Sequence, residues 1–262
     1  MMGNGAASHV DILGVNVNAI DLDDAVATIE GWIAQRSRQY VCVTGAHGVI
    51  ECQSDERLRN IHNAAGMVTP DGMPLVWLAR WLGAVGTSRV YGPDLMRLVS
   101  EVSARHGYKQ FYYGGAPGVA EKLEHELRRR HRKLDIAGTY CPPFRPLSAE
   151  EDDAIVAAIN AAKADIVWVG LSTPKQEVWM AEHRDRVDAP VMIGVGAAFE
   201  FLAGVKRQAP LWMQRSGLEW LFRLLSEPRR LWRRYAVTVP TFILLSVHQL
   251  WTKFGATHPQ AR

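Results

Sequence analysis

From residue 109 onward, short apolar runs alternate with longer stretches in which apolar positions recur at helical spacing. That alternation is the signature of a parallel sheet covered by helices. The runs at 110–114, 134–138, 165–170 and 190–195 are each too short for a helix and end near glycine or polar residues, so they are predicted strands. Between them, 117–130, 148–162 and 174–186 are predicted helices. Ser148 with Glu151 fits a capping box, and Thr173 followed by Pro174 fits an N-cap with a first-turn proline. The first half is less regular but similar in kind, with predicted strands at 11–17, 40–44 and 66–69 and helices at 22–36, 55–65 and 94–105. The expected architecture is one continuous α/β unit, a Rossmann-like parallel sheet covered by helices. No repeat of fixed period and no Pro/Gly/Ser-rich linker divides it. The one boundary falls near Gly204, giving an α/β domain over 1–204 and a basic helical C-terminal appendage over 205–262.

In that appendage Leu218, Leu221, Phe222 and Leu225 recur at helical spacing. Beyond Pro228, Arg229, Arg230, Arg233 and Arg234 mix with Leu231, Trp232 and Tyr235, so a helix there carries a basic face beside an aromatic and aliphatic one. This combination suits the headgroup boundary of an anionic bilayer. The apolar run 235–251 is interrupted by Pro240, His248 and Gln249 and falls short of the roughly 20 residues a spanning helix needs, which predicts peripheral attachment.

Charge sharpens this reading. The 262-residue chain has a formal net charge of only +3, yet residues 206–234 hold eight Lys or Arg against two acids, Glu219 and Glu227. One segment therefore supplies all the basic excess and calls for an anionic partner: nucleic acid, acidic headgroups or a phosphorylated substrate. The interleaved Trp and Leu favour lipid over nucleic acid. Three cysteines, odd in number and far apart, read as reduced thiols. Residues 1–10 lack the basic flank and apolar stretch of a signal peptide, so a cytoplasmic location is expected.

Ligands of an open parallel sheet bind at the strand ends, where helix N-termini attract phosphate. Gly114 and Gly115 either let the backbone approach a diphosphate or simply form a tight turn; they are not the G-x-G-x-x-G fingerprint, which weakens a Rossmann oxidoreductase. Lys175 and Gln176 open a helix, Gln176 also being placed as a capping partner. Asp71, between Pro70 and Gly72 after an apolar run, faces a cleft or makes a turn. Asp21, Asp23 and Asp24 have the D-x-D spacing of a metal-held diphosphate but precede an amphipathic run, so helix capping is favoured. His47, just past the 40–44 strand, is the one histidine placed near a site, with structural hydrogen bonding as the competing role. H-x-x-x-H spacing, a Walker loop and a G-x-S-x-G elbow are all missing, which removes support for zinc, P-loop and serine-hydrolase chemistry.

Several of these segments together resemble the WecG/TagA/CpsF family of bacterial glycosyltransferases, in particular its exopolysaccharide-building, GumM-like members. The likeness runs from Val41-Cys42-Val43-Thr44-Gly45-Ala46-His47-Gly48 through Thr69-Pro70-Asp71-Gly72-Met73-Pro74 and Arg89-Val90-Tyr91-Gly92-Pro93-Asp94-Leu95. It continues through Gly170-Leu171-Ser172-Thr173-Pro174-Lys175-Gln176 to Gln208-Ala209-Pro210 and Gly217-Leu218-Glu219-Trp220. The resemblance implies inverting transfer of a hexose or N-acetylhexosamine, glucose or N-acetylmannosamine foremost, from a UDP-sugar to a polyprenyl-diphosphate-linked saccharide. It implies Asp71 as general base, and Thr44, Arg89 and Gln176 in donor or acceptor binding, with Asp94 in a matching motif. The arginine-rich tail, Arg229, Arg230 and Arg233 included, would dock on the inner face of the membrane and, with Arg89, meet the leaving diphosphate in place of a metal or other cofactor. Relatives also imply a homo-oligomer. Ala46 stands where many relatives have Asn, which implies a different sugar or acceptor subgroup.

Overall fold

The computed structural model describes residues 8–255; most of the segment read for a signal peptide lies outside them. In place of the single strand expected over 11–17, β1 (His9–Ile12) and β2 (Val15–Asn18) form an antiparallel hairpin. Leu13 and Gly14 between them take φ of 52° and 82°, the two-residue turn whose twist matches paired strands. The alternation reads as unbroken in sequence because one turn position is a leucine. The hairpin stands outside the main sheet, and Asn18 Oδ1 accepts a 2.7 Å hydrogen bond from the Val68 N–H.

The remaining elements run α1 (Leu22–Gln35), β3 (Gln39–Thr44), α2 (Ala46–Ser54), α3 (Glu56–Asn63), β4 (Met67–Pro70), α4 (Met73–Trp81) and α5 (Gly92–His106) in the first half. Then follow β5 (Lys109–Gly114), α6 (Val119–Arg130), β6 (Asp135–Tyr140), α7 (Ala149–Ala161), β7 (Ile166–Gly170), α8 (Lys175–His183) and β8 (Val191–Gly194). Six strands form one parallel sheet in the order β4-β3-β8-β7-β5-β6. Its strands are apolar on both sides, as a doubly covered sheet requires. Along β3, Tyr40 and Cys42 pack with Leu58, Leu75 and Met180 on one face, while Val41 and Val43 pack with Ile29, Leu95 and Val99 on the other.

The expected caps form. Asp21 and Asp24 make a capping box on α1, engaging these two carboxylates of the D-x-D cluster, and Ser148 with Glu151 makes one on α7. At α8 the helix begins one residue later than expected: Thr173 Oγ1 donates to Glu177 Oε1 at 2.9 Å and makes no N-cap bond. α2 and α4 escape the pattern reading because each starts from a glycine N-cap with no side-chain cap hydrogen bond, whereas the shorter α3 is announced by its Asp55 cap.

α9 (Ala198–Leu202) precedes the expected boundary, and beyond it lie α10 (Leu211–Arg215), α11 (Glu219–Ser226) and α12 (Pro228–Gly255). α12 runs through Pro240 without a break, although the proline has no N–H to give the Ala236 carbonyl. No helix among the described residues is long and apolar enough to cross a membrane. The appendage is packed on the sheet's helices: Phe242 is buried in the same apolar cluster as Leu75 and Leu78. Near its end, the Gln249 side chain accepts from the Leu13 N–H at 3.2 Å and donates to the Asp11 carbonyl at 2.9 Å.

Candidate active site

β3, β4 and β8 end on one side of the sheet, and the loops that follow them line a cavity of about 770 Å³ whose other wall is α11 and α12. Asp71 lies in it. Its position is fixed from both sides: its N–H donates to the Thr44 carbonyl at 3.0 Å, and its own carbonyl accepts from Arg89 Nε at 2.6 Å. Two helix N-termini converge on its carboxylate. Gly92, the first residue of α5, donates its N–H to Oδ1 at 3.1 Å, and a Cβ placed on Gly45, the N-cap of α2, would lie 3.8 Å from Oδ2. Helix N-termini favour a carboxylate, yet burial wins. Burial pushes the Asp71 carboxyl up to about 6, with Glu219 adding to the rise, while Arg89, the Gly92 N–H and Arg223 oppose it. The group is a base poised just below neutrality, with Oδ2 carrying no hydrogen bond among the described residues.

Arg89 is occupied. Besides the Asp71 carbonyl, it donates from Nη1 to Gln214 Oε1 at 3.0 Å and pairs through Nη2 with Glu219, while its guanidinium lies 3.9 Å over the Tyr91 ring. Tyr91 Oη closes the network on the other Glu219 oxygen at 3.2 Å. Arg89 therefore ties the Asp71 loop to α10 and α11, and its fork is spent on protein acceptors. Arg89→Ala and Glu219→Ala should each lower stability, and the double variant should fall short of their sum, leaving a coupling of about 1–3 kcal/mol in denaturant unfolding. Strict additivity would remove the clamp.

The cationic contacts fall to other residues. Lys206 lies 3.5 Å from Glu200 and 3.4 Å from Glu227, and Arg230 pairs with Glu227 at 2.5 Å. Arg223 and Arg234 also line the cavity, half-buried, and neither side chain has a hydrogen bond or ion pair among the described residues. Burial, with repulsion from Arg223 and Arg230, holds Arg234 below the usual guanidinium range. His47 faces the same cavity; burial first, then Arg234 and Arg223, push it down to about 4, so it is neutral near pH 7. Two guanidiniums without hydrogen bonds among the described residues thus face one cavity, with a fork geometry that matches phosphate oxygens.

The structure thus brings Asp71, Arg89, His47, Gln176 and Arg230 to one cavity. Gln176 is buried and spans two partners, its Oε1 accepting from the Gly196 N–H at 2.9 Å and its Nε2 donating to Glu177 at 3.0 Å, which fixes the turn after β8. Thr44 lies beneath the loop, its hydroxyl 3.1 Å from His62 Nε2; because His62 Nδ1 faces the Leu58 carbonyl at 2.9 Å and must donate there, Thr44 is the donor. Thr44 and six further residues stand outside the cavity lining. Asp94 pairs with Arg97 at 2.7 Å, and Lys175, Arg229 and Arg233 are exposed. Gly114 and Gly115 take φ of 117° and 81°, and a Cβ on Gly114 would come within 2.7 Å of the Gly170 carbonyl, so strand packing alone requires glycine there. Pattern reading missed Glu219, Arg223 and Arg234 as site residues. The local charge excess was the signal available for the two arginines.

A Rossmann-like sheet with a poised carboxylate at its strand ends and unpaired arginines in the same cavity is a framework suited to a group-transferring enzyme. Residues 10–255 match the Glycosyl transferase WecG/TagA/CpsF family, and the chain belongs to it: it is a glycosyltransferase. It is similar to the N-acetylglucosaminyldiphosphoundecaprenol N-acetyl-beta-D-mannosaminyltransferases of Staphylococcus aureus strains MW2 and NCTC 8325 / PS 47. Each is 27% identical over 234 residues, covering 88% of this chain and 90% of the relative.

Proposed function

We propose that this enzyme moves a hexose or N-acetylhexosamine, with N-acetylmannosamine and glucose the leading donors, from a UDP-sugar to a polyprenyl-diphosphate-linked saccharide, with inversion. The observation that carries the reading is the presence, in one cavity, of the Asp71 carboxylate, whose Oδ2 has no hydrogen bond among the described residues, and of the unpaired Arg223 and Arg234. Asp71 takes the proton of the acceptor hydroxyl as its oxygen bonds to the anomeric carbon. The bond to UDP breaks on the opposite face, and the charge that grows on the leaving diphosphate is met by Arg223 and Arg234. Neutral His47 supplies a hydrogen bond without competing for the phosphate. The relatives named above are N-acetylmannosaminyltransferases that act on N-acetylglucosaminyldiphosphoundecaprenol, which supports an acceptor of this kind. The exposed arginines and aromatics of α12 support peripheral attachment to the inner face of the membrane.

The test is turnover of UDP-N-acetylmannosamine, UDP-glucose and other UDP-sugars on liposomes carrying an N-acetylglucosaminyl-diphosphate lipid, with mass analysis of the lipid product. One donor should add a single sugar of inverted anomeric configuration, faster on anionic than on neutral liposomes. A retained configuration, or turnover only with a non-uridine donor, overturns the reading.

A further inference from the structure

The cavity is chemically two-ended. Along α12, Arg230, Arg234, Thr238, Phe242, Ser246 and Leu250 follow one another at four-residue spacing, and all line it. Each four-residue step turns about 40° around the helix, so the stripe winds along the cavity wall from guanidinium to side chains that, with Val239, Ile243 and Val247, are mainly apolar. From Arg234 to Leu250 this stripe extends about 24 Å, far beyond the reach of a diphosphate. The facing wall is α4, whose Trp77 and Trp81 share a face by the same spacing and also line the cavity. Lys253 donates to the Leu82 carbonyl and joins the far ends of the two helices. The rim is open: Trp81 is 62% exposed, Ile243 55% and Val247 60%.

From this the geometry points to a prenyl-chain subsite: the groove between α4 and α12 seats the first isoprene units of the acceptor lipid, with its diphosphate at the cationic start of the stripe beside Arg230, while Arg223 and Arg234 are left to the donor. This rests on the acceptor class proposed above and adds where its tail goes. Charge complementarity selects the occupant. A nucleotide or saccharide has no use for a long apolar wall, a peptide helix has no reason to begin in paired arginines, and a polyprenyl diphosphate has an anionic head joined to a chain of the required character. The enzyme therefore draws the proximal part of the lipid out of the bilayer and recognises it directly.

Binding of isopentenyl, geranyl and farnesyl diphosphate to the full chain, by titration calorimetry without vesicles and below micellar concentrations, tests the inference. Affinity should tighten by at least about tenfold from the five-carbon to the fifteen-carbon ligand, since each buried methylene contributes. Val247→Asp and Trp81→Ala, both at exposed positions, should flatten that length preference, whereas Arg230→Ala should weaken all three ligands alike. Equal affinity for the three lengths, or a full preference retained in both rim variants, overturns the groove and leaves this face to a bilayer or a second copy of the chain. A length preference in an enzyme that transfers no sugar to any lipid-linked saccharide would sink the acceptor reading and leave the groove standing.

Discussion

Asp71→Asn is expected to lower kcat for sugar transfer by about 10²–10⁴-fold while leaving the thermal unfolding midpoint and UDP affinity near those of the parent. The amide keeps the shape and can accept the Gly92 N–H, but it cannot take a proton from the acceptor hydroxyl. The pH dependence separates this from a structural role. Asp71 is pushed up to about 6, mainly by burial, and a base acts only when ionised. Parental kcat/KM should therefore fall about tenfold per unit as pH drops below 6 and be level above it, until some other group titrates. The residual activity of Asp71→Asn should lack that acid limb. Activity within a few-fold of the parent, or an unchanged limb in the variant, would assign the base elsewhere.

The double variant Arg223→Ala/Arg234→Ala is expected to lose about 10²–10³-fold in kcat, the size of effect seen when donors to a developing oxyanion are removed. Added magnesium should not restore it, because the residues that meet the diphosphate are the ones taken away. A second readout needs no substrate. His47 is held at about 4 by burial and by these two arginines, so its titration, followed by NMR, should rise toward the ordinary histidine range of about 6.5 in the double variant. If EDTA arrests the parent reaction, a metal rather than the arginines carries the leaving group. An unmoved His47 titration would place the arginines away from the cavity in solution.

Both predictions concern one side of the sheet, and its parts differ in how far the chain announces them. The second-half strands, the caps at Ser148 and Asp21, and the basic segment after Gly204 were legible because each depends on neighbours in sequence: alternation, a three-residue reciprocal cap, a local excess of like charge. Asp71 was legible as a candidate, flanked by proline and glycine after an apolar run. The turn at Leu13 and Gly14 was not, since a leucine at positive φ leaves no mark in the hydrophobic pattern.

Sequence by itself determined the α/β class, a candidate carboxylate at Asp71 and the presence of a basic C-terminal segment. Tertiary structure decided what each charge does. Arg89 and Arg223 are the same residue type, yet Arg89 is neutralised by Glu219, distant in sequence, while Arg223 has no such partner among the described residues. Pairing at that separation is set by how α11 packs over the ends of β3 and β4, and no spacing rule encodes it. The same holds for Asp71. Its ordinary carboxylate chemistry is written in the residue, but the rise to about 6 comes from desolvation by surrounding segments and from Glu219, because a charge responds to every dielectric boundary and neighbour in space and not to its position along the chain.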